Sequence, residues 1–321
     1  MRRNSPIGAA YADRSPSERQ QYLKTLVVEY RGLNDVLRKI GEWHMPVKGG
    51  VHATGSCHVL LGEHRAGKSF ALAQYRSRFP SRLDEQAEAR VTPVLYVETA
   101  AQSNARDLAI ALYDALSNGP VAADSRLGGQ TLLNKFLMEL PFHGVELIIF
   151  DDAQNLIVDN HDRNNKLFKD FICRVLNRNC CGVIMAGKSS VYDAVESYAP
   201  LEGRGSLPNF TLPALRWSVA DERKEFIHFC KELDRRLPFR EPSLLGDPKV
   251  ALHLFYASRG LIGRLCNYVR DAAHMAINEN ADSIRIEHLR EAAMDRLRPG
   301  SDFVPFDQQI TPTMVEQVEA T

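Results

Sequence analysis

Short runs of consecutive apolar residues punctuate the middle of the chain, and between them apolar residues recur every three or four positions. The runs are "CHVLLG" (57–62), "PVLYVE" (93–98), "ELIIFD" (146–151), "GVIMAG" (182–187) and "NFTLP" (209–213). Runs of this length without polar alternation mark strands covered on both faces, so they predict a parallel sheet between helices. Helical spacing fills the gaps near 68–79, 104–117, 130–140, 163–177 and 189–198. From Trp217 the strands stop, and 219–236, 248–258, 261–278 and 286–297 predict a separate all-helical unit.

Upstream, "YLKTLVVEYRGLNDVLRKIGEW" (22–43) predicts one amphipathic helix beside the sheet. The polar, Ser-, Arg- and Pro-rich start and the Pro-containing polar end read as flexible tails. The expected organisation is an arm (1–20), an N-terminal helix packed on the core (21–50), an α/β core (51–216), a helical lid (217–298) and a tail (299–321).

Composition changes this picture little: 44% apolar and 25% charged residues are the ordinary globular mix. The 40 basic and 40 acidic side chains cancel, which leaves open how charge is distributed over the surface. Cys57, Cys173, Cys180, Cys181, Cys230 and Cys266 form no C-x-x-C pair and have no nearby histidine at zinc-ligand spacing, so reduced thiols are expected. No signal-peptide core and no membrane-length apolar run is present, so a cytoplasmic protein without a membrane partner is expected.

Chemistry enters at Gly62-Glu63-His64-Arg65-Ala66-Gly67-Lys68-Ser69, which matches G-x-x-x-x-G-K-[ST] between a predicted strand and a predicted helix. By chance the pattern arises in a chain of this length on the order of once in a hundred. The glycines let the backbone wrap an anion, and the first helical amides point at it with the helix dipole in support. Lys68 is expected on the β- and γ-phosphates of ATP and Ser69 on Mg²⁺, with Phe70 following on the first helical turn. The magnesium also needs a carboxylate at a neighbouring strand tip, and "ELIIFDDAQNL" supplies Asp151 for the metal and Asp152 to orient the attacking water. Two aspartates that merely cap the next helix are the plainer alternative.

Three further positions are candidates. Lys188 or Ser189, at the end of "GVIMAG", can sense the γ-phosphate, although helix capping by Ser189 fits equally well. Arg204 in "LEGRGS" suits a finger reaching a neighbouring subunit's nucleotide, and a solvated loop arginine is its alternative. Arg264, beside Gly260 and Gly263 in "SRGLIGRLCNYVRDAA", can swing onto the phosphates or pair with a surface acid.

With "LLGEHRAGKS", "PVLYVE", "LIIFDDAQNL", "GVIMAGKSSV", "LPALRW", "LDRRLPF" and "SRGLIGRLCNYVRDAAHMAI" in this order, residues 22–297 resemble the TniB/TnsC transposition regulators, a branch of the AAA+ ATPases. The resemblance implies an AAA+ P-loop core with a helical lid, in a bacterial, DNA-associated ATPase. It also implies a homo-oligomer, ring or helical filament, along target duplex DNA that recruits the transposase and works with a target-selection protein. ATP would support assembly and hydrolysis disassembly. Asp152, where the family usually has Glu, and Lys188, where a smaller polar residue is common, depart from the pattern and point to slow hydrolysis.

Such a protein needs basic and amide groups on one face, contacting phosphates without reading bases. "AAQSNAR" offers Gln102, Ser103, Asn104 and Arg106. "NNKLFKDFICRVLNR" offers Lys166, Lys169, Arg174 and Arg178, interleaved with apolar residues that face the core. A solvated helix face is the plainer meaning of these charges. Two other functional readings stay open: a nearly non-hydrolysing ATP-bound adaptor, favoured by Asp152, and another DNA-loading AAA+ ATPase such as a helicase loader or initiator.

Overall fold

A computed structural model describes residues 7–84, 89–99, 104–117, 127–157, 162–198, 201, 207–297 and 303–320. The chain sorts into two compact units, one comprising Gly32–His64 and Lys68–Leu212, the other Met1–Arg31, Arg65–Gly67 and Pro213–Thr321.

The first unit is the predicted sheet domain. Its strands are β1 (Cys57–Leu61), the short pair β2 (Arg82–Asp84) and β3 (Ala89–Val91), then β4 (Val94–Glu98), β5 (Leu147–Asp151), β6 (Gly182–Gly187) and β7 (Asn209–Thr211). Five of them form one sheet in the order β4-β5-β6-β1-β7, with every pairing parallel. β5 and β6 are buried at every position, which is why their sequences run apolar without alternation. β2 and β3 pair antiparallel in a separate hairpin. At three residues each they carry too few apolar positions to stand out as runs.

After α1 (Pro16–Thr25), which belongs to the second unit, the helices of this unit are α2 (Arg31–His44), α3 (Lys68–Arg76), α4 (Ala105–Ser117), α5 (Gly129–Glu139), α6 (Gln154–Ile157), α7 (Asp162–Arg178) and α8 (Ser189–Glu196). Phe168, Phe171, Ile172, Val175 and Leu176 of α7 are buried, and Phe168 meets Phe150 of β5 edge-on at 5.2 Å. The far end of α2 is anchored by His44, whose ring nitrogens lie 3.0 Å from the Tyr75 hydroxyl and 3.1 Å from Glu146.

Beside it, Trp43 stacks on His58 with centroids 4.9 Å apart. Burial, reinforced by the charge of Lys39, pushes the His58 pKa down to about 4 from 6.5. The unfolded chain therefore binds this proton first as the solution acidifies. The stability contributed by neutral His58 is full above pH 6.5 and is lost as pH falls toward 4, by at most about 2 kcal/mol at pH 5. Melting followed by tryptophan fluorescence is expected to show lower stability at pH 5 than at pH 7.5, and His58→Phe is expected to flatten that difference. An equal pH dependence in the variant would place its source elsewhere.

The second unit is helical, with α9 (Ala220–Arg236), α10 (Pro248–Ser258), α11 (Ile262–Asn278), α12 (Ile286–Met294) and α13 (Pro312–Glu319). Phe226, Phe229, Leu254, Phe255 and Val269 lie in its core, and Asp247 caps α10 by accepting from the amides of Lys249 and Val250.

The structure corrects the expectations for both ends. The single helix over 22–43 is two helices: a capping box of Ser15 and Glu18, with Pro16 at the first helical position, starts α1 early, and the chain turns extended at Leu26. Part of the expected arm 1–20 is thereby ordered in α1. Arg19 is buried there, donates to the Pro238 carbonyl at 3.1 Å and lies over the Phe239 ring. The expected tail also packs on the helical unit: Phe303 meets Tyr256, Phe306 stacks on His253, and Ile310 and Val315 are buried. At its end Glu319 accepts from the amide and hydroxyl of Ser218 at 2.9 and 2.6 Å.

Candidate functional site

Residues 62–67 form the loop from β1 into α3. Gly67, at φ 111°, adopts a conformation that L side chains rarely reach, and Arg65 occupies the left-handed region at φ 66°. Glu63, His64 and Arg65 are exposed while Ala66 is buried, so the loop bulges outward and then tucks under the helix start. The amide of Gly62 donates to the carbonyl of Gly187 at 3.1 Å, tying the loop's first residue to the tip of β6.

Lys68, the first residue of α3, is only 6% exposed. Its ammonium donates to the carbonyls of Gly62 and Glu63 at 2.7 and 3.0 Å. Burial pushes its pKa down; Asp151, Asp152 and Glu63 pull it back up, and Lys188 lowers it further. The acid pair from β5 and the lysine after β6 thus act on its charge. Ser69 and Phe70 are exposed on the first turn of α3, Phe70 at 41%.

Asp151 ends β5 and is 2% exposed. Its Oδ2 accepts from the Tyr96 hydroxyl at 2.6 Å and its Oδ1 from the amide of Asp152 at 3.0 Å. Glu98 of β4 is opposite Asp151 in the register, so Tyr96 reaches it diagonally across the strand pair. Burial and then the bond to Asp151 push the Tyr96 phenol well above its ordinary value, keeping it a donor. Asp152 follows at φ 52°, and its carboxylate Oδ1 accepts from Gln154 Nε2 at 2.9 Å. The Thr99 hydroxyl, just past β4, lies 2.7 Å from the carbonyls of both Asp151 and Asp152 and braces this turn.

β6 lies between β5 and β1 in the sheet, so its tip separates the acid pair from the loop. Lys188 stands there as the residue preceding α8, and neither it nor Ser189 supplies a side-chain cap. Capping by Ser189 is thus not what the structure shows. Arg204 lies outside the described residues. In the helical unit, where Arg65–Gly67 also groups, Gly263 approaches the loop so closely that a Cβ there would sit 2.5 Å from the Arg65 carbonyl oxygen. Arg264 is the next residue on that first turn of α11 and is half-buried.

The family described as "Bacterial TniB protein" matches residues 24–213, more than half of the chain. The chain belongs to the TniB family. Among solved structures it is similar to Cdc6p from Pyrobaculum aerophilum, with a TM-score of 0.57 and 14% identity over 91% of this chain and 70% of that one. It is also similar to the ORC2 protein of Aeropyrum pernix in its ADP form, with a TM-score of 0.56 and 15% identity over 86% and 72% of the two chains. A third likeness, to the same ORC2 protein as ADPNP–ADP complexes, has a TM-score of 0.53 and 15% identity over 83% and 67%. No curated protein matches. At these identities the structures establish the fold, an AAA+ type P-loop core with a helical C-terminal region, as the motifs led one to expect.

Of the basic candidates of this TniB-family chain, Arg106, Lys166 and Arg174 stand near the start of α5, whereas Lys169 and Arg178 do not. Arg106, whose amide is capped by Asn104 Oδ1 at 2.8 Å, donates from its guanidinium to the Leu127 carbonyl, and a Cβ at Gly129 would meet its backbone nitrogen at 2.5 Å. Lys166 and Arg174 line a groove of about 560 Å³ with Gln130, Leu167, Asp170 and Cys173. Arg174 donates to Asn134, and Lys169 lies over the Tyr198 ring. Lys166 and Arg178 are exposed. Gln102 and Ser103 lie outside the described residues.

Among the described residues no helix is long and apolar enough to cross a membrane, and no cluster of three or more His, Cys, Asp or Glu residues suits a metal ion. Tyr96, Thr99 and Gln154 are the site residues that sequence reading missed. Only Gln154 carried a signal, its place two residues after Asp152 in "DDAQNL".

Proposed function

We propose that this TniB-family protein is an ATPase that regulates transposition, assembling on target duplex DNA with ATP, recruiting the transposase and a target-selection protein, and disassembling on hydrolysis. The observation that carries the ATPase reading is that the loop bearing Lys68, the acid pair Asp151 and Asp152, and Lys188 follow three neighbouring parallel strands, with the Gly62 amide tied to the Gly187 carbonyl. Family membership supports the transposition reading.

The residues suit a magnesium nucleotide. The Lys68 ammonium rests on loop carbonyls, from which an anion in the loop can draw it. Asp151 accepts one hydrogen bond at each oxygen, which leaves lone pairs for the ion's hydration shell. In this account Gly62 to Lys68 wrap the phosphates, Phe70 flanks them, and Ser69 and Asp151 hold Mg²⁺, which when bound offsets phosphate charge. Asp152 orients the attacking water and takes its proton as the water oxygen bonds to the γ-phosphorus and ADP leaves. Lys188 reads the γ-phosphate from the tip of β6. Arg264 from the lid and Arg204 from a neighbouring copy complete the charge around the site.

DNA is contacted through its backbone by Arg106, Lys166 and Arg174 near the start of α5, by Lys169 on α7, and by Gln102 and Ser103. The nearly non-hydrolysing adaptor is the second reading, favoured by the short side chain of Asp152. Titration of labelled duplex with ATP or ADP at increasing salt tests the proposal. ATP-dependent affinity that falls steeply with salt and is indifferent to sequence supports it, and equal weak binding with both nucleotides opposes it.

A further inference from the structure

Gln154 opens α6 with its two amide ends in unlike surroundings. Nε2 donates to Asp152 Oδ1 at 2.9 Å, whereas Oε1 is buried and accepts no hydrogen bond from a described residue. A buried acceptor left without a donor costs about 1–3 kcal/mol. A glutamine present only for packing would be replaced without loss by an apolar side chain of similar shape. Here the cost of one end accompanies a bond from the other to the acid next to Asp151.

The backbone makes room for this arrangement. A Cβ at Gly187 would stand 2.4 Å from Gln154 Oε1 and 2.6 Å from Val191 Cγ2, so the glutamine occupies space that only glycine leaves open. The Gly187 carbonyl in turn accepts from the amide of Gly62. Gln154 therefore lies between Asp152 and the tip of β6, where the first residue of the phosphate loop is tied.

The geometry points to Gln154 as the positioning residue for Asp152 in ATP hydrolysis: its amide fixes Oδ1 and thereby turns Oδ2 toward the water. This inference rests on the hydrolysis reading above. It accounts for how an acid one methylene shorter than glutamate is aimed: the turn at φ 52° sets the backbone, and Gln154 sets the carboxylate. A misplacement of about 1 Å in such a group lowers a rate by up to about 100-fold, while nucleotide binding, which does not use Asp152, is untouched.

Single-turnover ATP hydrolysis and fluorescent-nucleotide binding would be measured on wild type, Asp152→Asn, Gln154→Leu, Gln154→Glu and Gly187→Ala, with melting temperatures recorded for each. Gln154→Glu keeps the shape and replaces the amide donor by an acceptor, and Gly187→Ala displaces the side chain without altering it. The expected result is a rate about 10- to 100-fold lower in all three Gln154 and Gly187 variants, with nucleotide Kd within about threefold of wild type. Rates within twofold of wild type in folded Gln154→Leu and Gln154→Glu, or a loss of rate matched by an equal loss of affinity, would overturn the assignment. Turnover abolished by Asp152→Asn but kept in the Gln154 variants sinks this inference alone; turnover indifferent to Asp152→Asn sinks the hydrolysis reading and the inference with it.

Discussion

Replacing Lys68 by alanine is expected to weaken ATP binding by at least about 100-fold and to abolish turnover, while the nucleotide-free protein stays as stable as wild type. Each charge-assisted hydrogen bond from the ammonium to a phosphate oxygen is worth about 1.5–3 kcal/mol, and two such bonds account for the fall. Stability behaves differently because of where the ammonium sits. It is buried, its protonated form is disfavoured there by desolvation, and its present partners are two loop carbonyls. Removing it relieves that burial and offsets the packing lost with the side-chain stem. Fluorescent-nucleotide titration and thermal melting read the two effects separately. An affinity within threefold of wild type would mean that Lys68 does not hold phosphate; a melting temperature many degrees lower would mean that its role is structural.

Asp152→Asn is expected to separate binding from hydrolysis. Removal of a general base lowers the rate by about 10²- to 10⁴-fold. Asparagine keeps the shape, and its side-chain carbonyl can still accept from Gln154. ATP affinity is therefore expected within about threefold of wild type, and the protein should persist in its ATP-bound form. Single-turnover measurement with radiolabelled ATP distinguishes this from a general loss of activity. An unchanged rate would take the water-activating role away from Asp152 and assign it to another group.

The sheet domain was legible because its central strands β5 and β6 are buried at every position and so run apolar without a break, and the P-loop and the acid pair sit at the ends of apolar runs. The helices of the second unit were equally plain from their spacing. What the sequence hid depends on contacts between distant residues or on irregular anchors. Phe303, Phe306 and Ile310 stand at helical spacing, but Pro305 and Pro312 interrupt any helix there and polar residues surround them, so the packed C-terminal segment read as a tail. The break between α1 and α2 was masked by apolar Leu26, Val27 and Val28, which continue the amphipathic pattern although the chain is extended at Leu26.

The same division runs through the candidate site. Motif spacing marks Lys68, Asp151 and Asp152, but Tyr96 reaches Asp151 across 55 positions of sequence, and Thr99 braces the following turn from the end of another strand. Lys166 and Arg174 read as one face of α7, which they are; that Arg174 bonds to Asn134 across 40 positions could not be read from its own helix.

The most direct test of the central claim is electron microscopy of the purified protein mixed with linear duplex DNA at low salt, in ATP, ADP or a non-hydrolysable ATP analogue, with Lys68→Ala in parallel. The account predicts rings or filaments on the DNA with ATP and with the analogue, and none with ADP or with the variant. ATP bound by the wild-type protein without any assembly on DNA would contradict it.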